Sequence, residues 1–505
     1  MALGTYGYIV ATTSSTLSSA EFNMFDEDNY GTYASSGSNN NTLYTSTNGR
    51  MTVQESGHYL VAGNSFIHGS TTTKLVLRLK VNGVVKYDTG RFSMDISRGV
   101  YSRPFHKILE LDSGSYIEAF VEDEANSTCR VMSGSSLSVI KLYHPYGTME
   151  LNKPTDASSA QYNPFNTGSA PGSAGILSSS FSGAMAQDPS AGRIQTNLSG
   201  NFMYLINGRV GGSGGPSLDV EYYKNGTSRK TYTIERTDDA FVNIALMSNF
   251  VSGNSAHVEI DNSSVFSTST ESGSAFSLFM MPTASHYLSL IGDTTANSQT
   301  GIMNPFDEDI YSSYSSSVML SNGITYNPAN GRFSPSRSGV YFGYSNLHIA
   351  VSSDADDIKI NIKKNGATNI YQSVLKVDAS DDPAIRSTVW VASLDSSDYM
   401  EITLSSSVGL VFGPGSSMAF YELLSTGSAG SGGSSSPANE FTQSGSNNLI
   451  NRDFTLNTYG ANNLTNQYTR TVKQVPFILG TPGPLSLRGR TTGTVDISLG
   501  DSKEN

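Results

Sequence analysis

Apolar and polar residues alternate along much of the chain with a period of two. In Lys74-Leu75-Val76-Leu77-Arg78-Leu79-Lys80 the three leucines fall on one face and the cations on the other. Ile358, Ile360 and Ile362 repeat the pattern against Lys359, Asn361 and Lys363, and Leu218, Val220 and Tyr222 carry a weaker version. Each run leads to an Asn-Gly pair, Asn82-Gly83, Asn225-Gly226 or Asn365-Gly366, which tolerates the positive φ angles of a tight hairpin. Later strands follow polar turns, as in Leu111-Asp112-Ser113-Gly114-Ser115-Tyr116-Ile117 and Leu394-Asp395-Ser396-Ser397-Asp398-Tyr399-Met400. Turn signals about every 8 to 12 residues predict antiparallel β-sandwiches.

These elements recur three times in one order. An Asn/Ala-Gly-Arg turn precedes Ser-Gly-x-aromatic at Asn48 to Tyr59, Ala191 to Phe202 and Asn330 to Tyr341. Upstream of each stands an aromatic corner, at Asn23 to Asp28, Asn163 to Phe165 and Asn304 to Asp309. Each repeat ends on a closing strand that starts near Gly134, Gly273 or Gly415. A spacing of roughly 140 residues suits one domain per repeat. The expected organisation is an N-terminal arm at 1–19, jelly rolls at 20–145, 146–284 (the most diverged) and 285–424, a Gly/Ser linker at 425–447 and a C-terminal arm at 448–505 that could serve as an anchor.

Composition narrows the class. The 505 residues are 37% hydrophobic and 15% charged with 49 glycines, which favours short strands joined by turns over helices. A net charge of −12 without a Lys/Arg cluster argues against nucleic acid and against an anionic membrane surface. From Ser425 onward six Lys/Arg nearly balance five Asp/Glu, so the acidity belongs to the repeats. Cys129 is the only cysteine, so stability must come from packing. Met1 to Thr12 lacks the basic flank and apolar run of a secretory signal, and no window approaches the roughly 20 apolar residues of a membrane span.

The run Ile324-Thr325-Tyr326-Asn327-Pro328-Ala329-Asn330-Gly331-Arg332-Phe333-Ser334-Pro335-Ser336-Arg337-Ser338-Gly339-Val340-Tyr341-Phe342 resembles the signature of the globular head of complement component 1q, of the tumour necrosis factor superfamily. The Lys-Asn-Gly hairpin and the Gly-Ser-Ser-hydrophobic closing strand are similar to later landmarks of that family. The resemblance spans about residues 20 to 424 and is thinnest in the second repeat. It implies a two-sheet jelly roll that assembles into tight trimers. Tyr59, Phe202 and Tyr341 would take the family's inner-sheet aromatic position, as ordinary core or as the trimer seam, and Gly57, Gly200 and Gly339 the turn before it. A collagen-like stalk is missing, so an immune-type role does not transfer.

Catalytic chemistry finds little footing. Gly211-Gly212-Ser213-Gly214-Gly215 fits a nucleophile-elbow pattern only formally, inside a glycine tract. The seven histidines show no metal-ligand spacing. Asp26, Glu27, Asp28, Asp307, Glu308 and Asp309 offer hard oxygens that could hold calcium, as some relatives in the resembling family do, or could simply be solvated loop acids. No other cofactor is expected.

The resulting expectation is a structural protein of a bacteriophage-type virion, not an enzyme. It would be a homotrimeric head or tail appendage, fibre, knob or capsid decoration that meets other virion proteins and a host glycan or receptor. Assembly in the host cytoplasm goes with that reading. Alternatives are an exported extracellular adhesin or carbohydrate-binding protein and, further off, a jelly-roll glycan-cleaving enzyme. Three repeats of one chain could also close on themselves as a pseudo-trimer.

Overall fold

A computed structural model describes most of residues 5–425, apart from short connecting segments, and four short strands between 448 and 499. The body, Leu3–Thr426, is one compact unit, and Gly427–Asn505 with the first two residues forms another. Glycine linker residues 426–447, Ser213 of the glycine tract and most of the C-terminal arm lie outside the described residues.

The body is all-β, in three sandwiches. In the first, one sheet runs in the order Ser35–Asn40, Tyr6–Ala11, Ser136–Leu142, Gly57–Gly69, Val100–Leu111; the other runs Thr42–Thr45, Arg50–Val53, Tyr116–Asp123, Thr73–Val81, Val84–Met94. Successive strands pass between the sheets in jelly-roll fashion. The second repeats this order with Leu177–Phe181, Tyr146–Leu151, Ala275–Met280, Gly200–Gly212 and Ala240–Phe250 facing Met185–Asp188, Arg193–Thr196, Ser255–Asp261, Ser217–Lys224 and Thr227–Glu235. The third repeats it again, and there Met400–Phe412 runs on to pair with Ile349 to Val351, joining both sheets in one hydrogen-bonded network.

Local stereochemistry explains the landmarks. Asn82, Asn225 and Asn365 adopt φ of 51°, 53° and 54°, followed by glycines at 78°, 71° and 72°, the left-handed pair that matches hairpin twist. Each asparagine side chain also accepts a backbone N–H from the neighbouring strand, at Tyr116, Ser255 and Tyr399. In the third hairpin Lys364 pairs with Thr368 rather than three residues on, so Ala367 is an added turn residue.

The aromatic corners are clamps. The Asn23, Asn163 and Asn304 amides each donate to two carbonyls of the following Gly-Arg turn and accept the N–H of Phe25, Phe165 or Phe306. The clamped glycines, Gly49, Gly192 and Gly331, sit at φ near +60°, and a Cβ on Gly331 would stand 2.5 Å from Asn304. One motif thus fixes the other, which is why the two recur together.

Two expectations change. The stretch expected as an N-terminal arm contains an internal strand: Tyr6–Ala11 lies between Ser136–Leu142 and Ser35–Asn40, with all six residues buried. Its continuous apolar run suits a strand covered on both faces. At the other end, the arm carries two antiparallel strand pairs, Asn448–Ile450 with Phe477–Leu479 and Leu485–Gly489 with Val495–Leu499.

Candidate functional site: a three-way seam within one chain

Each long strand, Gly57–Gly69, Gly200–Gly212 and Gly339–Val351, has two buried faces. Tyr59 and Phe202 are fully buried in the cores of their own sandwiches, and Tyr341, also fully buried, stacks on Phe420, which meets Phe333 of the same sandwich. Tyr59 donates to the Glu55 carbonyl and Tyr341 to the Arg337 carbonyl, and Phe202 meets Phe250 edge-on. These aromatics are therefore core. The seam uses the other parity, one residue along: Leu60 and Ala62, Met203 and Leu205, Phe342 and Tyr344 belong to one apolar cluster drawn from all three sandwiches. The signal in the sequence is the loss of alternation, as in Phe202-Met203-Tyr204-Leu205-Ile206, where both faces are apolar.

The packing is head to tail. Val100–Leu111, the edge strand of the first sandwich, lies against Gly200–Gly212 and Ala275–Met280 of the second. Ala240–Phe250 of the second lies against Gly339–Val351 and Ser417–Ser425 of the third, and Ala384–Leu394 of the third against Gly57–Gly69 and Ser136–Leu142 of the first. A heterologous contact repeated three times closes a ring. The seam joins neighbouring repeats of the same chain, the pseudo-trimer arrangement that the sequence left open.

Polar pins differ from one interface to the next. Between first and second sandwiches Lys107 pairs with Glu150, the Asn207 amide donates to the Tyr87 hydroxyl, and the His58 and Tyr146 rings stand 4.8 Å apart. Between third and first, the Ser136 hydroxyl donates to the Val389 carbonyl at 3.1 Å. Between second and third, the Asn201 amide donates to the Tyr287 hydroxyl.

Strand registers make His106, Ala245 and Val389 equivalent, since they face Ala62, Leu205 and Tyr344 on the three long strands. His106 is fully buried, and among the described residues its ring nitrogens find no partner at good hydrogen-bond geometry. Burial pushes its pKa down to about 3, and a weak contact with the Leu205 backbone offsets this only in part. The interface between first and second sandwiches thus holds a neutral imidazole that the other two lack.

No known family's profile matches the chain, and no curated protein matches it. Solved structures similar to part of it include the Eiger TNF of S. frugiperda, at 16% identity over 28% of this chain and 93% of that one, with a TM-score of 0.20. Murine APRIL is similar at 13% identity over 27% of this chain and 98% of that one, TM-score 0.21. Scores of that size carry no functional argument.

The acidic corners place their carboxylates in different settings. Asp26 and Asp307 are buried within the clamps, and Asp28 and Asp309 are exposed. Glu308 accepts from both the backbone N–H and the hydroxyl of Ser316, at 2.7 and 2.8 Å, and Asp307 accepts the Asp309 N–H. Among the described residues no three acidic, histidine or cysteine side chains converge as metal ligands. In the third repeat these carboxylates order the corner.

Proposed function

We propose that the chain is a structural protein of a virion surface, a single-chain pseudo-threefold head that docks on a bacteriophage-type particle and presents its outer sheets to the surroundings. The observation that carries this reading is the closed seam. Three sandwiches that bury their assembly faces against one another gain the stability of a trimer without needing a second chain. The segment after the Gly/Ser linker, nearly neutral beside an acidic body, serves in this reading as the anchor. Contact with host glycans or receptors then falls to the outer sheets and hairpins.

Light scattering on the purified full-length chain tests the head. One 53.8 kDa chain per particle is the expected mass, and three chains per particle would overturn the single-chain head.

A glycan-cleaving enzyme remains as a second reading because the second sandwich sets Glu221 opposite Glu259 and Asp219 opposite Asp261 on its outer sheet. Facing carboxylates are what glycosidic chemistry needs. Tyr223 donates to Glu221, and His257 lies 3.1 Å from Glu259, so both glutamates already have neighbours. Polysaccharide turnover that vanishes in Glu259→Gln would favour the enzyme over the structural role.

A further inference from the structure

The closing strand of each repeat is tied to the long strand of the same sandwich near both of its ends. Where the closing strand starts, the first and third repeats use the same tie: the Phe66 N–H donates to the Ser135 hydroxyl at 2.9 Å, and the His348 N–H to the Ser416 hydroxyl at 3.0 Å. Where it finishes, the registers set Lys141 opposite Tyr59, Met280 opposite Phe202 and Glu422 opposite Tyr341. The counterpart is the residue before each Ser-Gly turn, Glu55, Leu198 or Arg337. Lys141 Nζ donates to Glu55 at 2.7 Å, whereas Arg337 Nε donates to the two Glu422 oxygens at 2.8 and 3.1 Å. Leu198 and Met280 both pack against the apolar core of the second sandwich.

The three pairs occupy one place in the fold. A Cβ on Gly57 would stand 2.7 Å from Lys141 Cε, and one on Gly200 would stand 2.7 Å from Met280 Cε, so both side chains cross the same turn glycine. The Tyr59 and Tyr341 hydroxyls donate to the Glu55 and Arg337 carbonyls, so the same backbone lies beneath opposite charges. The pair is thus acid with base in the first repeat, apolar in the second and base with acid in the third. The member on the closing strand is the more buried one, with the Lys141 side chain 15% exposed and that of Glu422 2%. An exchanged closing strand would set Glu422 against Glu55, or Lys141 against Arg337. Like charges repel, and a buried charge without its counter-ion is costly.

We propose that this pair is a pairing code: it selects, among three closing strands of one pattern, the strand that completes each sandwich, and so keeps repeats of one chain or of neighbouring chains from exchanging closing strands. Tandem copies of one fold are prone to such exchange. The serine tie and the turn geometry are shared by the first and third repeats, so they cannot tell one from the other. The two repeats that are most alike carry opposite signs, and the diverged second repeat does without charge. Rejection comes from the repulsive contact as much as acceptance comes from the attractive one. Glu422 selects most strictly, because it also accepts the His286 N–H at 3.1 Å, just before the first strand of its own repeat. Three segments of the third sandwich therefore meet at one buried carboxylate.

The test makes the first and third repeats alike and then unlike again. Glu55→Arg with Lys141→Glu gives the first repeat the pair of the third, and Arg337→Glu with Glu422→Lys gives the third the pair of the first. The fourfold variant exchanges the two pairs. Each full-length chain is unfolded in guanidinium chloride and diluted, and the share recovered as the native species is read by size exclusion with light scattering. Either double variant should lower that share at least twofold, with species of higher mass taking its place, and the fourfold variant should restore the parental share. Pairs that only brace their own sandwiches would instead give losses that add, leaving the fourfold variant with the poorest recovery. That result, or parental recovery in both double variants, would overturn the proposal.

Discussion

The clamp and the seam obey opposite rules. At the clamp, all three repeats place an asparagine on a glycine turn with the same three hydrogen bonds. At the seam, equivalent positions hold His106, Ala245 and Val389. A local backbone geometry that recurs demands the same residue each time. An interface that occurs once per chain does not, because each of the three contacts can be filled independently. Three identical chains would have no such freedom, since any residue at the seam would appear in all three interfaces at once. The same freedom lets His257 stand opposite Arg193 where Glu118 and Glu401 stand opposite Arg50 and Arg332.

The largest effect expected from breaking this comparison is at the seam. Phe342→Ala removes a fully buried ring and should cost about 3–5 kcal/mol, read by denaturant unfolding. If the seam is as described, the same experiment should show the sandwiches losing their common transition, and a cost below about 1 kcal/mol would count against it. Next come the clamps. Asn23→Ala, Asn163→Ala and Asn304→Ala each delete three bonds and should cost roughly 2–3 kcal/mol apiece, with similar values in the three repeats. A large spread among them would show that the clamps are not equivalent.

Near neutral pH the smallest effect belongs to one interface, and acid alone brings it out. His106 has a folded pKa of about 3 against an ordinary value of 6.5, so the unfolded chain binds the proton more readily. The neutral ring costs nothing above pH 6.5, and stability falls by about 1.4 kcal/mol per pH unit as pH drops from there toward 3. His106→Asn should flatten that part of the stability profile, while substitutions at Ala245 or Val389 should leave it in place. An unchanged acid limb in His106→Asn would contradict the buried, neutral assignment.

Strand parity is where reading and structure part. The alternation of Leu75, Leu77 and Leu79 located one buried face correctly, and all three side chains are fully buried in the first sandwich. The long strands carry apolar residues on both faces, and the signature aromatic at Tyr59, Phe202 or Tyr341 left open whether its face was core or seam. Leu60, Met203 and Phe342 were legible only as members of an unbroken apolar run. At the corners, Asp-Glu-Asp left a cation loop and plain loop acids open, and only the carbonyls gathered by Asn23 and Asn304 reveal the turn lock beside them. His257 in place of a glutamate is visible in the sequence once the strand registers are known, and the registers come from the fold.

The sequence by itself determined what depends on neighbours along the chain. It set the two-residue period of the strands, the left-handed Asn-Gly turns and the threefold recurrence of domain-sized units, because torsion preferences and alternation act over a few residues. The tertiary structure decided what each face lies against. It drew Tyr6–Ala11 into the first sheet, turned the second face of each long strand toward the next repeat, and set His257 opposite Arg193 in the strand register. Burial says that a side chain leaves water; which surface receives it is settled only when distant segments compete for the same partner, and here the winning partner belongs to the same chain.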